Sequence, residues 1–439
     1  MSFIASFLNL GAIFGAILAG PFVAKYGRRS TMIYADILGI IGLILTVIAT
    51  LPTILIGRLV SGFVGGVNTV VVPMYLVEMS PLALCGATGS LSIIVLEISA
   101  FVSLAVSFAV PDAPTGGISN QVWRILFLVP VVLNVIRMLL LLFVFRCDTP
   151  YYYISKNHPE KAQNSLMKTF KGNVDKEYER VQGDVKASTF EGSVRFRDLF
   201  TKTYRRSLLI SFLLALLQQF CGMAAIFVFS NLIFSASTSD TALYSTILGV
   251  VNLAAVIMSF LFIERYGRKP LIIFGSTLMG LILLAFSVIV LVNGPSHPSL
   301  KFLLIIWPIF FQISVGSLTF LYISETLPSV GVAVCVAGNW TAGFIVIQFY
   351  LHVVDAYGVA APFLFFAIFC LFCAVVFAKE MVETKGRTKR EIIAKYMRVE
   401  VNEAIQNVEE EIKKTTDVRQ LNFEMISSED VKTDEILEK

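Results

Sequence analysis

Five side-chain amides interrupt otherwise apolar stretches of this sequence: Gln218, Gln219, Asn252, Gln312 and Asn339. An amide offers one acceptor and two donors, so several together suit vicinal hydroxyls such as those of a sugar ring. The same groups also serve as glue between apolar helices, where a polar atom must find a partner. Phe229, Phe320 and Trp340 lie close to them in sequence and carry flat aromatic faces. Glu97 and Arg137 are the deepest of the charges considered, about eleven and about nine residues from the nearer basic end of their stretches, or roughly 13–17 Å at 1.5 Å per residue. Either charge alone is costly in hydrocarbon, so the two are expected to pair.

A second chemistry recurs as a repeat. "AKYGRRS" at 24–30 returns as "ERYGRKP" at 264–270, and "YLVEMSP" at 75–81 returns as "YISETLP" at 322–328. These strings place Arg28, Arg29 and Glu78 in the first copy, and Glu264, Arg265, Arg268 and Glu325 in the second, at the ends of apolar stretches. There acids and bases can pair with each other or face helix termini. Cys370 and Cys373 have CxxC spacing, but inside an apolar stretch they read as small packing residues, and neither a metal nor a cofactor is implied. The sequence contains no Walker loop, no HExxH and no nucleophile elbow, so an enzyme is not expected.

The elements that position these residues follow from composition. The 439 residues are 56% hydrophobic and 15% charged, with 36 Phe, which places the chain among integral membrane proteins embedded in a lipid bilayer. Eleven apolar runs are long enough to span as helices: 1–24, 31–50, 54–77, 86–109, 123–145, 207–230, 242–263, 270–292, 301–324, 332–354 and 361–379. The alternate loops at 50–53, 110–122, 231–241, 293–300 and 355–360 hold no Lys or Arg. By the positive-inside rule those loops are external, the N-terminus of this chain lies outside and the C-terminus is cytoplasmic. The net charge of +4 therefore reports topology and gives no reason to expect a nucleic-acid partner.

The repeat divides the chain into an N-terminal bundle of five spans (1–146), a cytoplasmic helical linker (147–206), a C-terminal bundle of six spans (207–380) and a cytoplasmic tail (381–439). Two spans precede the basic repeat in the second half and only one in the first. Twelve spans are the expectation for such a repeat, with the first absent here.

These residues resemble the sugar porter family of the major facilitator superfamily, and within it the insect facilitated trehalose transporter-like group. The resemblance rests on the paired GRR and GRK loops, "GRLVSGFVGG" at 57–66, "PMYLVEMSP" at 73–81, "CDTP" at 147–150, "QQFCG" at 218–222, "NW" at 339–340 and "VETKG" at 382–386. It implies an all-α, multi-pass major facilitator fold at the plasma membrane. It also implies facilitative transport of a hexose or trehalose-like disaccharide by alternating access, with the cytoplasmic charges forming a latch. On this resemblance Gln218, Gln219, Asn252, Gln312, Phe320, Asn339 and Trp340 contact the sugar. The sequence departs from the family where Ile93, Ala224 and the string Ser317-Leu318-Thr319-Phe320 replace polar or aromatic anchors, and Gln312 stands where a Glu is common. Those departures leave two alternatives open: a non-transporting sugar sensor or regulator of the same fold, or a truncated gene product. A partner for the tail is not identified.

Overall fold

The computed structural model describes residues 2–48, 50–80, 85–106, 122–169, 174–191, 196–235, 240–387 and 389–398, and these contain helices and no strand. The first half consists of α1 (Ser2–Tyr26), α2 (Arg28–Val47), α3 (Leu51–Glu78), α4 (Cys85–Val106) and α5 (Val122–Leu139), which ends in a π-helical turn at Leu140–Val144. Three short helices follow, α6 (Pro150–Ser155), α7 (Pro159–Thr169) and α8 (Val174–Glu191). The second half begins with α9 (Arg205–Phe220), α10 (Met223–Val228) and α11 (Ser230–Ser235). It continues with α12 (Thr241–Tyr266), α13 (Arg268–Asn293), α14 (Ser299–Phe311), α15 (Ser317–Thr326), α16 (Ser329–Tyr357) and α17 (Ala360–Glu380), and α18 (Lys389–Met397) closes the described chain.

Ten described segments are long and apolar enough to cross a membrane, counting α9–α10 and α14–α15 as one crossing each. The predicted span at 86–109 falls on α4, whose described apolar stretch, Ile93–Ser103, is shorter. Large apolar side chains such as Leu261, Leu291 and Val292 point outward, as suits helices whose solvent is lipid and whose backbone is satisfied within each helix.

Local sequence explains the boundaries. Gly27 and Gly267 separate α1 from α2 and α12 from α13 with φ of 86° and 88°, a conformation that only a residue without Cβ adopts freely. Thr50 and Thr53 form a reciprocal cap at the start of α3, with Pro52 in its first turn. Inside the first half α1 lies along α3 through two pairs of glycines spaced by four. A Cβ on Gly11 or Gly15 would run into Leu59 O or Phe63 O, and one on Gly62 or Gly66 into Leu8 O or Ala12 O. Without a hydrophobic drive between helices in lipid, close backbone approach of this kind holds the pair together.

Two seams join the halves: α1 packs on α16, and α4 packs on α12. At the first, Ser6 Oγ donates to Gln348 Oε1 at 2.6 Å. The largest apolar core belongs to the second half and runs from Leu214 and Leu217 through Trp307 and Phe311 to Phe363 and Phe377.

Candidate functional site

Gln218 and Gln219 end α9, one turn before the helix breaks at Gly222, whose φ of 91° is left-handed. The break comes from the QQFCG string itself, because Gly tolerates this backbone and the chain resumes as α10. A second irregularity, the π-helical turn Gln312–Gly316, joins α14 to α15. Such turns are frequent at functional sites. The amides of this half gather around these two breaks.

Asn339, buried on α16, is the hub of one group. Its Nδ2 donates to Gln218 Oε1 at 2.8 Å and to Ala215 O at 2.9 Å, and its Oδ1 accepts from Gln219 Nε2 at 3.1 Å. Gln218 Nε2 in turn donates to Gly316 O at 3.3 Å. The other face of Gly316 lies against the Gln312 side chain, which opens the second group. Gln312 Nε2 donates to Asn252 Oδ1 at 2.9 Å. The five predicted amides therefore form two hydrogen-bonded groups, Gln218–Gln219–Asn339 and Asn252–Gln312, that meet on either side of Gly316.

The aromatic expectations divide. Trp340 is half-buried and its indole N–H, though shielded, has no hydrogen-bond partner in the protein. It is a free donor beside Asn339. Phe320 is partly buried against the apolar cluster that contains Leu208, Ile323 and Cys335, and Phe229 stacks on Tyr350 with centroids 5.1 Å apart. Cys370 and Cys373 are free thiols in the core, and the described residues hold no cluster of metal-ligating side chains.

The expected Glu97–Arg137 pair is not formed. Arg137 instead grips Asp36 of α2 with Nε, 2.9 and 3.1 Å from the two carboxylate oxygens, and with Nη2, which also reaches Asn68 Oδ1 at 3.2 Å. Glu97 accepts from Asn252 and Gln312 across the seam between halves. The reason is packing order: α5 lies on α2, while α4 lies on α12. Asp36, with no exposed surface, escaped the sequence reading although it sits about eight residues into its helix, roughly 12 Å from the end and so level with Arg137.

The charged repeat forms two matching clusters. Arg28 Nη2 meets Glu78 Oε1 at 2.8 Å, and Arg268 Nη2 meets Glu325 Oε1 at 2.8 Å. Each cluster contains a carboxylate that sequence reasoning did not single out, although both lie in quoted motifs. Asp148 accepts from the Arg28 and Arg29 amides at 3.1 Å each, and Glu383 from those of Arg268 and Lys269 at 3.0 and 2.9 Å. These acids satisfy the free N–H groups at the starts of α2 and α13 and face the positive ends of the helix dipoles. Burial pushes the Asp148 carboxyl up, against the lowering effect of bonds from the Thr149, Arg28 and Arg29 amides. Arg29 Nε donates to Leu141 O at 2.9 Å and Phe145 O at 2.7 Å, at the carbonyl end of the α5 span. Arg265 sits in the last turn of α12, with its guanidinium over Tyr266, 5.5 Å from the ring centroid. The side chain of Glu264 and residues 399–439 of the predicted tail lie outside the described residues.

Several polar groups at the seam were also missed. Asn9, Ser6 and Gln348 line the α1–α16 contact, and Asn9 and Gln219 both approach Gly343. They stood in the sequence as isolated polar residues in predicted spans, the same signal that marked the other amides.

A family model described as sugar (and other) transporter matches residues 1–396. The chain belongs to that family. Within this sugar-transporter family, solute carrier family 2, facilitated glucose transporter member 1 from Gallus gallus is 29% identical over 412 residues, covering 88% of this chain and 81% of the relative. Member 2 from the same species is 30% identical over 415 residues, covering 90% and 75%. The partially occluded inward-open structure of the xylose transporter XylE from E. coli superposes with a TM-score of 0.74 at 21% identity, covering 88% of both chains. XylE bound to 6-bromo-6-deoxy-D-glucose gives 0.71 at 20% identity, covering 90% of this chain and 89% of XylE. The fold is thus that of the major facilitator superfamily, and the chain is a multi-pass membrane transporter of a carrier family, not an enzyme.

Proposed function

We propose that this chain carries a sugar, either a hexose or a trehalose-like disaccharide, across the plasma membrane by facilitated alternating access. Residues 1–146 and 207–380 act as the two rocking bundles, 147–206 and 381–439 lie in the cytoplasm, and the N-terminus of the chain faces outward. The observation that carries this reading is the pair of amide groups Gln218–Gln219–Asn339 and Asn252–Gln312, built around two helix breaks near the two seams with the first half. Amides able to exchange one another for hydroxyls give directional, neutral recognition of a polyol. The unpartnered indole N–H of Trp340 adds a donor at its edge.

In the same reading the two Arg–Glu clusters, with Asp148 and Glu383, form the cytoplasmic latch. Each ties elements of one half together, so the halves move as rigid units. The relatives are named as facilitated glucose transporters, which supports glucose as the first sugar to try. Binding of labelled D-glucose and trehalose to purified protein is the test. Wild type is expected to bind one of them saturably, and Gln219→Ala and Asn339→Ala to weaken binding at least tenfold while elution behaviour stays normal. Equal binding by the three proteins would overturn the assignment of the amide network.

A further inference from the structure

Glu97 stands on α4 in the first half, yet both its carboxyl oxygens are taken by amides of the second. Gln312 Nε2 donates to Oε1 at 2.9 Å and Asn252 Nδ2 to Oε2. The residue is buried, and it sits on one of the two seams along which the halves touch. Two adjacent oxygens received by two amide donors reproduce the pattern that a vicinal diol would offer to the same pair. The carboxylate belongs to the protein, so these two donors are held by one of its own side chains.

We propose that Glu97 is an internal competitor for substrate: it holds the donors of Asn252 and Gln312 that two neighbouring hydroxyls of a polyol would take. Substrate binding at these amides and release of the α4–α12 seam are then one step. The inference rests on the sugar-carrier reading above and names the residue that sets its affinity and couples it to movement of the halves. Hydrogen bonds to an ionised acceptor are roughly twice as strong as neutral ones, so a single hydroxyl cannot replace both contacts, whereas a diol held by further amides can. The seam thereby selects for adjacent hydroxyls. Once displaced, the carboxylate is solvated by water entering with the substrate.

The test compares wild type, Glu97→Ala and Glu97→Gln by Kd for D-glucose and trehalose. Competition predicts that Glu97→Ala tightens binding about tenfold, equivalent to about 1.4 kcal/mol. Glu97→Gln, which keeps one acceptor oxygen, falls between. A weakened Kd, as for a residue that itself holds sugar, overturns the proposal, and so does an unchanged Kd, as for a purely structural residue. A second measurement needs no sugar: spin labels at Val102→Cys and Leu243→Cys, exposed positions on α4 and α12, report the separation of the seam in folded protein. The proposal expects Glu97→Ala to lengthen or broaden that distance, and an unchanged distribution contradicts it. If wild type binds neither sugar, the sugar reading fails, and the spin-label comparison still decides the role of Glu97.

Discussion

Replacing Asp36 with Ala leaves Arg137, half-buried between α5 and α2, with Asn68 as its remaining side-chain acceptor, 3.2 Å away. The lost interactions are large. Asp36 has no exposed surface, and Arg137 grips it through both Nε and Nη2. Breaking a buried ion pair by removing one partner costs about 3–5 kcal/mol. An independent figure, the insertion cost of a lone Arg near a helix centre, is about 2.5–3.5 kcal/mol. The two overlap near 3 kcal/mol, and the Arg137 side chain keeps 32% of its surface exposed, so the expected destabilisation is about 2–3 kcal/mol. The double variant Asp36→Leu with Arg137→Leu removes both charges, and such apolar replacements are often neutral or stabilising, so it should fall within about 1 kcal/mol of wild type. Equilibrium unfolding of purified protein in mixed detergent micelles, completed as a double-mutant cycle, gives both values. A single variant that loses less than 1 kcal/mol, or a double variant no more stable than the single, would refute the reasoning.

Other expectations follow from the same geometry. Gly62→Val drives a side chain into Leu8 O and should abolish monodisperse protein in size-exclusion chromatography, whereas Gly65→Ala, with nothing within 4 Å of the new Cβ, should elute normally. Glu383→Ala removes the acceptor of the first two amides of α13. It should cost about 1–2 kcal/mol by loss of a cap, read by the same unfolding assay, and Asp148→Ala should behave alike at α2. Tyr396, whose phenol burial pushes up to about 12, bonds the Tyr322 hydroxyl and accepts from Val382 N. Tyr396→Phe should therefore speed amide exchange across α18 without changing exchange in α16.

The span ends were legible because hydropathy and topology act on long segments. The run predicted at 270–292 is the helix Arg268–Asn293, and that at 332–354 is Ser329–Tyr357. The amides were legible for a related reason: a polar group in lipid requires a partner, so its presence announces a contact. The identity of the partner was not. Glu97 and Arg137 were matched by depth, but depth is one coordinate, and which helices are neighbours is decided by packing that spans the whole half. Asp36 had the right depth for Arg137 and the shorter route, since α2 and α5 touch. The roles of Asp148 and Glu383 were hidden differently. Their motifs were visible, but a carboxylate caps a distant helix only after the chain returns 120 residues later in one case and 115 in the other.

Counterflow of labelled D-glucose and trehalose in proteoliposomes tests the central claim most directly. A facilitative carrier built on this amide network should accumulate labelled sugar transiently against unlabelled sugar trapped inside. It should do so without a proton gradient, and Asn339→Ala should lose the signal. Absence of counterflow for both sugars with correctly inserted wild-type protein, or undiminished counterflow by Asn339→Ala, would contradict the account.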